Sequence, residues 1–201
     1  RQTPKVTGAG HFGSRLVFSR DKTLFITLGD RQKFTPSQDM AQSIGKVVRV
    51  NRDGSIPKDN PKWRDAKALP MIYSLGHRNA QGASLHPVTG QLWVSEHGPQ
   101  GGDEINRVQA GKNYGWPTAS YGCNYGDPIG EECRLGGGKH SPKFIEPLSI
   151  WEPRSIAPSG MLFYTGNAFP KWRNQVLMGS LAGTALWRVQ FDGDKEIRRE
   201  R

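Results

Sequence analysis

The sequence is short of apolar runs, of cysteine and of any recognisable nucleic-acid motif, and each shortage narrows its class. No run approaches the roughly 18 apolar residues that a membrane-crossing helix needs, so a helical transmembrane protein is excluded. Basic residues outnumber acidic ones by 28 to 18, giving a net charge of +10. They are scattered (Arg15, Lys33, Lys46, Arg64, Lys112, Lys143, Arg173) rather than clustered with aromatics, which argues against nucleic acid as a partner. Non-specific attraction to polyanions is all that the charge itself supports. There are two cysteines, Cys123 and Cys133, bracketing a loop that contains Gly and Pro. A bridge there would restrain the unfolded chain, but spacing alone leaves open whether the two thiols are joined or reduced.

What is present points to β structure. Only 35% of the 201 residues are hydrophobic, yet six Trp, five Tyr and eight Phe supply anchors that a disordered chain lacks. The 25 glycines and 14 prolines would break a helical bundle repeatedly. Residue 1 is Arg, no leader of basic then apolar residues comes before the first strand, and the charged stretch 195–201 shows no closing element. The chain therefore reads as a single domain truncated at both ends.

Short apolar runs recur in three groups. The first holds 15–18, 24–28 and 46–50, the second 82–85, 91–95 and 104–108, and the third 161–164, 176–179 and 185–189. Each group reads as strand, turn, strand, longer loop, strand, with Leu16, Leu85 and Leu162 in matching places. One small sheet cannot bury both faces alone, whereas sheets packed radially can. The expected fold is all-β, about three blades of a β-propeller, divided near 10–75, 76–150 and 151–201. A β-sandwich fits the strand pattern too, but the long segment 111–150 would be an unusual loop within one.

Three loop segments carry residues suited to chemistry. Gly10-His11-Phe12-Gly13 comes before the first strand, and Gly29-Asp30 ends its hairpin neighbour. A hairpin would bring Asp30 beside His11, where a carboxylate fixes the imidazole tautomer and raises its basicity. Gly76-His77-Arg78-Asn79-Ala80-Gln81-Gly82 packs a cation and two amides into a loop, a set suited to an oxygen-rich anion. Either segment also reads as an ordinary solvated turn. In Glu96-His97-Gly98-Pro99-Gln100-Gly101-Gly102-Asp103-Glu104, turn carbonyls beside carboxylates match a hard cation of the Ca²⁺ type. Zinc is less suited, because no second His or Cys stands at usable spacing.

In order along the chain stand His11-x-Gly13-x-Arg15-Leu16, Leu28-Gly29-Asp30, Gly76-His77-Arg78-Asn79-x-Gln81-Gly82, Glu96-His97-Gly98-Pro99, Asp103-Glu104-Ile105-Asn106 and Asn113-Tyr114-Gly115-Trp116-Pro117. Together, over residues 10–193, they resemble the soluble glucose/sorbosone dehydrogenase family, and within it the periplasmic aldose sugar dehydrogenases. The resemblance implies half of a six-bladed propeller that uses pyrroloquinoline quinone (PQQ) and Ca²⁺ to oxidise an aldose at carbon 1 to the lactone. It implies a periplasmic or secreted location and an electron acceptor of unknown identity.

The resemblance also assigns residues. His11 matches the base that takes the proton of the anomeric hydroxyl, Asp30 the carboxylate that orients it, and Arg78 the cation that stabilises charge on the quinone oxygen. Arg78, Asn79, His97, Tyr125, Ser155, Leu181 and Ala182 match positions at the cofactor. The carbonyls of Gly98 and Pro99 match ligands of one Ca²⁺, and Glu104 with Tyr114 a further ligand pair. Two departures stand out: Ala182 lies where the family often has Lys, and Gly10 where the glucose-dehydrogenase branch has Asp. The basic residues that clasp the cofactor carboxylates in such proteins would fall after residue 201, so this stretch alone is not expected to hold PQQ tightly. The alternative reading is a non-catalytic propeller module that binds carbohydrate or a protein. A propeller lactonase would want several carboxylates around a central calcium, more than these motifs offer.

Overall fold

A computed structural model describes residues 5–201. It contains three four-stranded antiparallel sheets, each a simple meander. The first runs β1 (Gly13–Phe18), β2 (Leu24–Leu28), β3 (Lys46–Val50) and β4 (Ile72–Leu75). The second runs β5 (Ala80–Leu85), β6 (Leu92–Glu96), β7 (Asp103–Arg107) and β8 (Ser149–Trp151). The third runs β9 (Pro158–Phe163), β10 (Val176–Ser180), β11 (Ala185–Asp192) and β12 (Lys195–Glu200). Among the described residues the only helical turns are short 3-10 segments.

The sheets stand side by side with their first strands innermost, since β5 packs along both β1 and β9. Alternation drives this arrangement. In β2, Phe25 and Thr27 are buried and their neighbours half-buried, as expected when opposite faces of a strand meet different surroundings. Between the first and second sheets, Phe25, Val47, Leu92 and Val94 form one core. Between the second and third, Trp93, Ile105, Met161, Phe163, Met178 and Val189 form another. Where β5 meets β9 the approach is so close that a Cβ on Gly82 would collide with the Ser95 hydroxyl, and that hydroxyl donates to the Ser159 carbonyl at 3.1 Å. This is the radial packing of a partial propeller.

The sequence pattern shows three strands per unit, and the structure adds a fourth outer strand to each. β4 and β8 are only four and three residues long and follow long loops, too short to show a strand period. The stretch that reads as a charged end with no closing element is in fact the edge strand β12, paired with β11 from Arg188↔Glu200 to Asp192↔Lys195. Its charges are matched on the sheet: Arg188 Nε donates to Glu200 at 2.8 Å, and the Arg199 guanidinium lies 4.3 Å over the Trp151 ring. A charged outermost strand also discourages pairing with other chains.

One fully enclosed charge lies inside the first sheet. Lys46 opens β3 fully buried, with Nζ donating to the carbonyls of Pro36 at 2.7 Å and Ile44 at 3.1 Å. Burial pushes its ammonium down to about 7, against a weaker pull the other way from Asp39.

Candidate active site

The catalytic candidates converge where three loops meet at one end of the inner strands. His11 leads into β1 and Asp30 follows β2. The antiparallel pairing Gly13↔Leu28 brings them together, with His11 Nδ1 2.6 Å from Asp30 Oδ1. The approach requires Gly29, because a Cβ there would strike the His11 carbonyl. Asp30 is fully buried and its carboxylate is saturated: the Gln32 N–H donates to Oδ1 at 2.8 Å and the Trp116 indole N–H to Oδ2 at 2.8 Å. His11, Arg31, Gln32 and Phe34 all hold positive φ, a concentration of backbone strain around this pair. With Nδ1 tied to the carboxylate, Nε2 is the nitrogen left for a substrate.

Arg78 and Asn79 lie between the first and second sheets and are held by main-chain bonds. The Arg78 N–H donates to Glu96 Oε2, and its carbonyl accepts from the Asp30 N–H at 2.8 Å. The guanidinium is buried, donating through Nη1 to the carbonyls of His97 (3.1 Å) and Gly98 (2.7 Å) and through Nη2 to the Tyr125 hydroxyl (3.3 Å). Its Nε is a buried donor with no partner. Asn79 accepts the Gly13 N–H on Oδ1 at 3.2 Å, which ties β1 to the same loop. His77, next along, is fully enclosed between the Ser74 hydroxyl (2.8 Å) and Glu96 (3.0 Å), so it supports the loop and does not face a ligand.

The Gly98–Pro99 turn is fixed by Asp103. That carboxylate accepts the Gly98 N–H at 2.9 Å, the Ser155 hydroxyl at 2.6 Å, and the N–H groups of Ile156 (2.6 Å) and Ala157 (2.9 Å). Ser155 is thereby spent on Asp103. The N–H groups of Leu181 and Ala182 go to the carbonyls of Ala157 and Ile156, both at 3.0 Å, and the Ala182 carbonyl accepts from the Ser180 hydroxyl at 2.7 Å, so these two exposed residues offer chiefly their side chains. His97 Nε2 donates to the Pro158 carbonyl at 2.5 Å; burial lowers its pKa, and Asp103 pulls weakly the other way. Tyr125 is 72% exposed, at the outer edge of the site. It sits on a loop closed by a disulfide between Cys123 and Cys133, the pairing that spacing left open.

Behind the turn lies a cavity of about 20 Å³, room for about one water, lined in part by Arg78, Gly98, Glu104, Tyr114 and His140. Glu104 faces Glu96 across β6 and β7. Burial first, and then Glu96, push its carboxyl well above the usual range. Its Oε2 accepts from Asn106 at 2.9 Å. The Tyr114 hydroxyl donates to the Arg107 carbonyl at 2.5 Å and accepts from the Gln109 N–H at 2.9 Å, so its main-chain oxygen is what remains for a cation.

The donor chemistry fits the groups that the resemblance implies. The unpartnered Arg78 Nε, beside the outward-facing Tyr125 and Nη2, suits an anionic oxygen-rich ligand. A carboxyl crowded by two others against a small cavity suits a divalent cation, which would relieve the cost of its burial. The Gly98 carbonyl already accepts from Arg78 and would share its second lone pair. Among the described residues no three His, Cys, Asp or Glu side chains group as a metal site, so carbonyl oxygens must complete any ligand set. Trp116 is a site residue that the motifs do not single out, and Glu96 and Asp103, which read as carboxylates beside a cation, instead fix the surrounding loops. Their partners are 40 to 90 residues away for Trp116 and for Asp103 toward 155–157, and no local signal announces such contacts.

At one end of the inner strands, this partial propeller gathers a histidine–carboxylate pair, a buried arginine and carbonyl-lined turns. The Glucose / Sorbosone dehydrogenase family model matches residues 1–201, and the chain belongs to that family. It is 41% identical over 195 residues to aldose sugar dehydrogenase YliI of Escherichia coli, covering 97% of this chain and 52% of that protein. A glucose dehydrogenase crystal structure superposes with a TM-score of 0.91 at 44% identity, covering all of this chain and 57% of the other. The PQQ-bound aldose sugar dehydrogenase of Streptomyces coelicolor matches with a TM-score of 0.74 at 29% identity, covering 96% of this chain and 49% of that one. The chain thus spans about half the length of the relatives it matches.

Proposed function

We propose that these residues form the base-bearing half of the active site of a PQQ- and Ca²⁺-dependent dehydrogenase that oxidises aldose sugars at carbon 1 to the lactone. Each sheet is one blade, near 10–75, 76–150 and 151–201, of a six-bladed ring. The observation that carries the reading is the His11–Asp30 pair at 2.6 Å, tied through the Asp30 N–H to the same peptide that presents Arg78. A module that only binds has no need of an oriented base.

His11 Nε2 takes the anomeric hydroxyl proton, and Asp30 holds the ring and stabilises the imidazolium that results. Arg78 supplies fixed positive charge next to where negative charge develops. Asn79, His97, Tyr125, Ser155, Leu181 and Ala182 frame the cofactor, with Ser155 acting through Asp103. Gly98 and Pro99 would offer carbonyls to one cation, and the Glu104 carboxylate with the Tyr114 main-chain oxygen would hold another. PQQ, when bound, supplies the hydride acceptor, with Ca²⁺ polarising its carbonyl. The family resemblance supports a periplasmic or secreted setting.

The test is titration of PQQ, with and without Ca²⁺, into the full-length protein, followed by glucose, with the quinone absorbance as readout. Calcium-dependent binding and bleaching by the aldose are expected, with the bleaching lost in His11→Ala. Ala182, small and exposed where a cationic cofactor contact is common in the family, favours one rival: a carbohydrate-binding module. Tight sugar binding with no PQQ uptake would establish that rival.

A further inference from the structure

We propose that Trp116 is the positioning residue that locks the base and the arginine into one unit, an inference that rests on the proposed dehydrogenase reading. The indole touches both halves of the constellation. Its Nε1–H donates to Asp30 Oδ2 at 2.8 Å, on the carboxylate whose Oδ1 holds His11 at 2.6 Å. Its ring lies 5.1 Å from the Arg78 guanidinium carbon and packs against Phe34 with centroids 5.5 Å apart. The residue itself is held by the main chain: its N–H donates to the Gly76 carbonyl at 3.0 Å, and its carbonyl accepts from Gln38 Nε2 at 2.6 Å. Trp116 is 4% exposed and Asp30 fully buried, so water does not replace this contact.

The consequence is geometric. A carboxylate with one oxygen bound to imidazole and the other to indole cannot turn about its terminal torsion. The plane of Asp30 therefore fixes the plane of His11 and the direction in which Nε2 points. Without the indole N–H, Oδ2 becomes a buried acceptor lacking its donor. The carboxylate then rotates to recover a partner and carries His11 with it. A base displaced by about 1 Å costs a rate on the order of a hundredfold while leaving ground-state binding largely intact. The same ring face keeps the guanidinium from swinging away from the base, by a cation–π contact.

Trp116→Phe deletes the N–H and keeps a ring against Arg78 and Phe34. In the full-length protein loaded with PQQ and Ca²⁺, kcat for aldose oxidation is expected to fall at least tenfold. KM and PQQ affinity should stay within about threefold. In an Asp30→Ala background, the same change should cost nothing further, because the bond it removes is already gone. Wild-type kcat in Trp116→Phe, or a loss that multiplies that of Asp30→Ala, would overturn the proposal. The second measurement needs neither cofactor nor turnover. The Trp116 indole N–H, assigned by its absence from the NMR spectrum of Trp116→Phe, should exchange with solvent at least tenfold faster in unliganded Asp30→Ala than in wild type. Equal exchange in the two would overturn the proposal even if Trp116→Phe failed to fold and the signal had to be assigned by sequential methods. Should the loaded wild type oxidise no aldose, the dehydrogenase reading fails, and the exchange measurement still decides whether the indole locks Asp30.

Discussion

At the scale of single residues, two buried carboxylates of the site have both oxygens committed. Asp30 and Asp103 show the pattern most fully: one holds the His11 ring, the other staples the Gly98 turn to the loop at 155–157. Removing His11 tests the proposed chemistry directly. His11→Ala is expected to lose at least a hundredfold in kcat with PQQ binding retained, as measured by stopped-flow and titration. Asp103→Ala acts differently: it strands three main-chain N–H groups and a hydroxyl. Denaturant unfolding should show a loss of about 3 kcal/mol, with weaker cofactor binding alongside.

At the scale of elements, β3 and the disulfide loop make separate claims. Lys46 titrates at about 7 when folded and near 10.5 when unfolded. Between those values the unfolded chain binds more protons, so its contribution to stability rises with pH. Measured by denaturation from pH 7 to 10.5, wild-type stability should climb relative to Lys46→Met, and parallel curves would contradict the assignment. The Cys123–Cys133 bridge closes a ten-residue separation under Tyr125. Its loss in a double Ser variant should cost about 3 kcal/mol and speed hydrogen exchange across residues 124–132. Some of this was readable in advance. Short apolar runs between turn residues located three strands of every sheet, because those strands carry the side chains that pack between the sheets. The fourth strands escaped, since β4 and β8 are too short to show a period and β12 carries charge on both faces.

At the scale of the whole molecule, the two outer faces of the three-sheet stack remain apolar and open. Leu16 and Phe18 on the first sheet, and Leu162, Leu186 and Ile197 on the third, are each about half or more exposed. Further blades of a closed ring would cover them. Residues 1–201 expressed alone should associate in light scattering, and Leu16→Ser with Phe18→Ser should reduce that association, whereas the full-length protein should not respond in this way.

The class of fold, the proximity of His11 to Asp30 and the loops that carry the candidate site can all be read from the sequence alone. Those features are local: strand alternation, glycines at close approaches, and a hairpin that makes His11 and Asp30 neighbours. Only the tertiary structure decided which donors remain free. It spent Ser155 and the Tyr114 hydroxyl on protein partners, crowded Glu104 against Glu96, joined the cysteines and brought Trp116 onto Asp30. Those outcomes depend on three-dimensional packing between sheets and loops, where contacts form between residues whose separation along the chain carries no signal.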